Sequence, residues 1–559
     1  MKQISTNKIY WALGVLFLVI YYGIIYQNTS NIPRWDDFDA FFKFVCDYID
    51  SPTFGEKLAL IFEPHGLHRI VFTRLLALSN YYIISSININ ALIVIGNLFM
   101  LGIGAMFFVF LRQRKDAGIF ALMIVLLLFN GQNFETNTWA MAGLANVGTL
   151  LLSMLSVYFV MQPTKAGFVA GIVLSVITVF SNGNGMCLFP AVLFSFLLQK
   201  RKKELLWFAG IVGVAIICYF LNFNWESGSE RSLRIDTLVM GFFYFLGGNA
   251  WLPSVKFIAL LWGLFIFATY VWAIVGGFYR KNPVWFTSFT FMLLTAAMVV
   301  LNRSVEEIAP LRYRIYCCMG TILTVMFYFE NRDVLHLTRW FKFLVPPIML
   351  FSLSCSLLYL DKCEKFSEYK KVTAYNWQRD RSGLCPNNHG MEEILQRAED
   401  MNIYKMPVLP LKALESKATV EQNWQNRNSK IVYNIDFLED NNEYILIKGW
   451  AYTDEMEMDF TDIFLWLINK EQSEIRTVNG SGYNIKAVPY SERRYDLAVS
   501  DLTVVENCGF FAAIPKTALL SGDYKLGIEI QKRYIVPVKK SSKSAETNVD
   551  VQIKKLMKL

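Results

Sequence analysis

The chain has 559 residues, 54% of them hydrophobic, 15% aromatic and only 18% charged, which places it in the membrane class. Its formal charge of +8 is modest. No basic stretch interleaves with aromatics in a soluble module, which excludes a nucleic-acid partner and leaves Lys and Arg as cytoplasmic anchors facing membrane lipids.

Lys2 and Lys8 precede a long apolar run with no small-residue cleavage site, the pattern of a retained first helix. A spanning helix needs roughly 20 apolar residues. Runs of this kind lie near 9–26, 88–111, 117–130, 142–161, 166–181, 186–199, 204–222, 256–278, 284–301, 315–330 and 341–360, about eleven predicted spans. With the N-terminus in the cytoplasm, Arg112–Lys115, Lys165, Lys200–Lys203, Arg280–Lys281, and Arg332 with Arg339 and Lys342 all fall inside, as the positive-inside rule asks. Loops 27–87, 131–141, 182–185, 223–255 and 302–314 then fall outside, and an odd count leaves everything beyond about residue 361 outside too.

The largest outer loop, 27–87, carries Phe38, Phe41, Phe42, Val45, Tyr48 and Ile49 at helical spacing after Asp36. This predicts an amphipathic helix, either along the membrane surface or packed on the bundle. Residues 68–85 are apolar but broken by His68, Arg69, Arg74 and Asn80, and read as a second surface helix. Residues 361–429 are polar and read as an extracytoplasmic linker. Over 430–540 short period-2 runs such as Tyr444–Ile447, Ile463–Leu467 and Tyr524–Ile530 alternate with Asn/Gly/Ser turns, predicting an antiparallel β-sandwich. The Lys/Ser-rich tail 541–559 reads as flexible. Of nine cysteines, Cys363 and Cys385 fall outside, as a disulfide in an oxidising compartment or as two free thiols.

The chemistry-bearing residues gather in the outer loops. Asp36 and Asp37 sit in Arg34-Trp35-Asp36-Asp37-Phe38-Asp39. A carboxylate there can take a proton from an acceptor hydroxyl or hold a divalent cation; capping of a helix N-terminus is the plainer role. Glu63, His65, His68, Arg69 and Arg74 suit a phosphate and a sugar; the two His residues alone make a weak metal site. Glu135 and Trp139 are candidate sugar contacts. Arg312 and Arg314, at the outer mouth of a span, are costly there unless they meet an anion or snorkel to headgroups.

An acidic pair just after the first helix, in a large outer loop with surface helices and about eleven spans, resembles the GT-C superfamily of membrane glycosyltransferases over residues 1–360. The resemblance implies a sugar donor linked to a polyprenyl phosphate, an extracytoplasmic glycan or lipid acceptor, inversion at the anomeric centre, and an Asp in this loop as general base. Here that means Asp36 or Asp37, with Asp37 slightly preferred, while Arg residues hold the lipid phosphate. Members that decorate bacterial surface polysaccharides are the most similar, which implies a multi-pass protein of the bacterial cytoplasmic membrane using undecaprenyl phosphate. Two rival readings are a transporter or flippase of a lipid-linked glycan and a non-catalytic envelope-assembly protein that works through its β-domain. Scarce charges within the spans and the absence of repeated halves count against the transporter.

Overall fold

The computed structural model describes residues 6–111, 117–223, 234–250, 256–302, 311–336, 342–381, 384, 390–421, 431–453, 463–469, 484–492, 508–519, 522–530, 534–537, 539–540, 547–548 and 550–553. Arg112–Lys115, Arg303, Arg339 and Cys385 therefore lie outside the described residues. The chain folds as two compact units, residues 1–360 with 397–404, and residues 361–396 with 405–559.

The first unit is helical. Among the described residues, five helices are long and apolar enough to cross a membrane: Asn7–Gln27, Ile89–Val109, Ala140–Val160, Lys256–Val275 and Pro283–Asn302. A sixth joins them if Ala117–Leu128 and Gly131–Thr138, bent by 44°, form one span. The bend falls where Asn130 caps both pieces, donating to the Leu127 carbonyl (2.8 Å) and accepting from the Gln132 N–H (3.0 Å). Val15, Leu16, Val19 and Ile20 of the first helix stand exposed, as do Leu206, Trp207, Ile211, Val214 and Ile217 of Lys202–Tyr219. Apolar stripes this large need lipid rather than water as their solvent, so the protein is membrane-associated.

Other expected spans form shorter helices, including Lys165–Val179, Leu188–Leu198 and Arg314–Glu330. One expectation is corrected. Segment 223–255, read as an outer loop, contains the apolar helix Ile235–Leu246, which packs closely on Lys256–Val275. Gly247 and Gly263 permit that approach, because a Cβ at either would strike a carbonyl of the other segment.

After the first helix, α1 (Thr6–Gln27), three short helices of the first loop, α2 (Phe44–Asp50), α3 (Phe54–Phe62) and α4 (Val71–Ile84), precede the long helix Ile89–Leu111. The late segment Arg397–Tyr404 straps this loop. Arg397 pairs with Asp47 (2.5 Å) and Asp50 (2.6 Å), the Ile87 N–H donates to Ile403 (2.7 Å), and the Tyr404 ring lies 4.6 Å from Phe42. The sequence assigned this strap to a linker.

The second unit holds antiparallel sheets. In one, β1 (Lys417–Glu421), β5 (Asn484–Val488), β4 (Ile463–Asn469), β8 (Gly522–Ile530) and β9 (Asp550–Ile553) run in that spatial order. The other runs β2 (Val432–Asp440), β3 (Tyr444–Tyr452), β7 (Gly509–Pro515), β6 (Tyr490–Glu492). Ile445, Ile447, Phe510, Ala512 and Ile514 of the smaller sheet share one core with Leu465, Leu467, Ile485, Leu526 and Ile528 of the larger. Two boundaries differ from the sequence reading. β1 starts the sheet inside the expected linker, and β9 pairs with β8 inside the expected flexible tail. Cys363 is a buried free thiol.

On the other face of the larger sheet the Lys486 ammonium lies 2.8 Å from the Glu529 carboxylate, which also accepts from Trp466 Nε1 at 2.6 Å. Both charged side chains are buried. Glu529→Gln strands a buried ammonium, an expected cost of about 3–5 kcal/mol, read as faster proteolysis of the second unit in the full-length protein.

Candidate active site

The chain leaves its first helix through Ile32-Pro33-Arg34 and reverses at Trp35, which takes φ +42°, a conformation rare for a bulky residue. The Asp37 N–H closes the turn on the Arg34 carbonyl (2.9 Å). A π-helical turn, Phe38–Lys43, follows and runs into α2; such widened turns recur at functional sites. Phe38, Phe41, Phe42 and Val45 are each 0% exposed, so this helix packs on the bundle. Its other face, Asp36, Asp39, Lys43 and Asp47, lines a cavity of about 840 Å³, within the range of small-ligand sites.

The turn separates the two acidic neighbours. Asp36 is exposed on the cavity wall, whereas Asp37 is 1% exposed and does not line it. Asp37 Oδ2 accepts from the Arg34 N–H (2.9 Å), and Oδ1 accepts from Trp139 Nε1 (3.1 Å) and the Met141 N–H (3.0 Å). Burial pushes its pKa up to about 7 against the pull of those three donors. The structure thus puts Asp36, rather than the slightly preferred Asp37, on the cavity wall, while Asp37 is a buried tie between the first loop and the Trp139–Met141 segment.

Glu135 and Trp139 belong to the same buried cluster. Arg34 Nη1 meets Glu135 Oε1 at 2.7 Å, and its guanidinium lies 4.7 and 4.5 Å from the Trp35 and Trp139 rings. Neither Glu135 nor Trp139, the expected sugar contacts, lines the cavity; the structure places both in this buried cluster.

The second contribution is the turn Glu63–His68. Gly66 at φ +55° lets His65 and His68 exchange backbone hydrogen bonds of 2.6 and 3.0 Å. Glu63, His65, His68 and Arg74 all line the cavity. Burial pushes the His65 pKa down; Asp36 and Asp39 oppose that shift while Arg74 and Lys43 add to it, so the imidazole is neutral at pH 7. Arg74 caps α3, donating to the Leu60 carbonyl at 2.7 Å and also to Ile61 and Glu63. Burial lowers its pKa to about 10, which leaves it charged. Arg69 does not reach the cavity. Its guanidinium donates to the carbonyls of Tyr219 (2.6 Å), Phe62 and Leu221.

The last wall is amide-rich, with Asn146, Asn182, Asn184, Asn302, Tyr313 and Tyr316. Gly183 sits against His68, and a Cβ there would collide with the imidazole. Gly183→Ala is expected to cost about 1–3 kcal/mol, seen as a lower melting midpoint. Gly55→Ala, with nothing within 4 Å of the added atom, is the neutral control.

Arg312 and Arg314 stand outside the lining. Arg312 lies over the Tyr313 ring at 5.4 Å; burial pulls its pKa down, but Tyr313 and the carboxylates of Glu135 and Asp36 outweigh this and raise it. Arg314 is buried, with its guanidinium 5.1 Å from the Tyr359 ring and donating to that hydroxyl. Among the described residues no group of three or more His, Cys, Asp or Glu side chains could hold a metal ion. Sequence reasoning missed Lys43, Asp47 and Asn146. The polar face opposite Phe38, Phe41 and Phe42 was the available signal for the first two. No family model, curated protein or solved structure matches this chain.

Proposed function

We propose that the protein is an integral-membrane glycosyltransferase of GT-C type, working on a sugar linked to undecaprenyl phosphate. The observation that carries this reading is the cavity in which Asp36 and Asp39 meet Lys43, Arg74 and the His65–His68 turn. Every wall comes from the same ends of the helices: beyond Gln27, Val179 and Tyr219, at Asn302, and at the start of Arg314–Glu330. Lys200–Lys203 and Arg280–Lys281 occupy the opposite ends. The positive-inside rule then puts the cavity on the extracytoplasmic face of a bacterial cytoplasmic membrane, with about eleven spans and the C-terminal unit as an extracytoplasmic β-sandwich.

In the proposed reaction Asp36 takes the proton of an acceptor hydroxyl as that oxygen bonds to the anomeric carbon. The bond from this carbon to the phosphate oxygen breaks, and the phosphate leaves with the electron pair, balanced by Arg74 and Lys43. Attack opposite the leaving phosphate inverts the centre. Arg312, Arg314 and Arg69 support the site from behind.

The test is reconstitution in liposomes with a radiolabelled undecaprenyl-phosphate hexose and a glycan or glycolipid acceptor. Label is expected to move to the acceptor, with free undecaprenyl phosphate as co-product. Transbilayer movement of the intact donor without cleavage of its glycosyl–phosphate bond would establish the flippase instead.

A further inference from the structure

Part of the cavity wall carries no charge and holds polar atoms with nothing to bond. Asn184 is 5% exposed and lines the cavity, and neither Oδ1 nor Nδ2 of its amide meets a hydrogen-bond partner. Asn146, also 5% exposed and on the wall, donates Nδ2 to the Ala142 carbonyl at 3.2 Å, which leaves its Oδ1 without a partner. The Tyr316 hydroxyl gives its proton to the Asn146 carbonyl at 3.1 Å and turns its oxygen toward the Asn184 side chain, so it can take one hydrogen of the Asn184 NH2 but satisfies neither amide oxygen. Buried amides in this condition carry their full desolvation cost unless a ligand or water meets them.

The backbone presents both amides deliberately. Asn184 sits in the 3-10 turn Gly183–Cys187, started by the Asn182 side chain accepting from the Gly183 N–H at 2.8 Å. Asn146 sits in the π-helical turn Gly143–Val147, of the kind found where a helix is widened for function. The Ala142 bond fixes its amide so that the oxygen is the atom left over.

The atoms select a chemistry. The subsite offers two acceptor oxygens and one NH2 donor. Phosphate or carboxylate oxygens only accept, so they would face those two oxygens unfavourably. An ammonium only donates, so it would strand the Asn184 NH2. A hydroxyl both donates and accepts, and two neighbouring hydroxyls of a pyranose can engage both amides.

We propose that Asn146 and Asn184 form a subsite for adjacent hydroxyls of an uncharged pyranose, so the sugar handled in this cavity is a neutral hexose rather than a hexuronic acid or an amino sugar. Naming it the transferred sugar rests on the transferase reading; the subsite itself does not.

The experiment is saturation-transfer NMR on the full-length protein in nanodiscs. The probes are methyl hexopyranosides, the matching methyl hexuronides and methyl 2-amino-2-deoxyhexopyranosides. Methyl hexopyranosides are expected to bind, the two charged series to bind at least about tenfold more weakly, and Asn184→Ala to weaken the neutral series about tenfold. Asn184→Asp, of the same size but acceptor-only, is expected to lose it as well, and an unchanged melting midpoint for either variant shows that it is folded. Equal binding of the hexuronides, or neutral binding unaffected by both variants, overturns the subsite. If Asn184-dependent binding is present while no donor sugar is transferred, the subsite stands and the transferase reading fails. Transfer without Asn184-dependent binding means the opposite.

Discussion

In the proposed transferase reaction, Asp36→Asn is expected to lower sugar transfer by about 10²–10⁴-fold, mostly in kcat, without moving the melting midpoint. Asp36 is exposed on the cavity wall, so its amide replacement strands no buried donor. It removes only the proposed proton acceptor, which an uncharged amide of the same shape cannot replace. Asp37→Asn is expected to keep transfer within about tenfold, because Asp37 faces away from the cavity among Arg34, Trp139 and Met141. The pair of variants thus separates a chemical role from a structural one at adjacent positions. Wild-type transfer by Asp36→Asn would remove the general base from this site.

How much of this arrangement could be read from the sequence depends on which partner each residue needed. The helical spacing of Phe38, Phe41, Phe42 and Val45 is local, so the buried face of the loop helix was legible, and its polar face became one wall of the cavity. Which of Asp36 and Asp37 turns inward was not legible. It is set by Trp35 at φ +42°, and no propensity signals a bulky residue in that region. The place of Arg69 was not legible for a related reason. Its guanidinium does not reach the cavity but meets the carbonyls of Tyr219, Phe62 and Leu221, partners that only tertiary structure supplies. Asn146 and Asn184 are 38 positions apart in the sequence and unremarkable by composition. Their significance appears only when both amides are found buried beside one cavity.

Asp37→Ala is expected to destabilise the helical unit by about 3–5 kcal/mol, the largest stability effect at the site. It leaves the Arg34 N–H, the Met141 N–H and Trp139 Nε1 buried without their acceptor, next to an Arg34 guanidinium enclosed by two indoles. Asp37→Asn costs less, about 1–3 kcal/mol. Its oxygen can serve Trp139 and Met141, but its NH2 then confronts the Arg34 N–H. The same residue gives stability a pH dependence whose sign follows from its environment. Burial raises the folded-state pKa to about 7, so the folded protein holds this proton more tightly than the unfolded chain does. The stabilisation is complete below the ordinary Asp value near pH 4 and is lost as pH rises through about 7. The wild-type melting midpoint, measured relative to Asp37→Asn at each pH, is accordingly expected to fall between about pH 4 and pH 7 and to level off above that. Asn cannot ionise, so this difference isolates Asp37 from every other titrating group. A difference that is flat with pH, or that rises with it, would mean that Asp37 is held as a carboxylate by its three donors and that the cluster around Arg34 is a buried ion network rather than a protonated one.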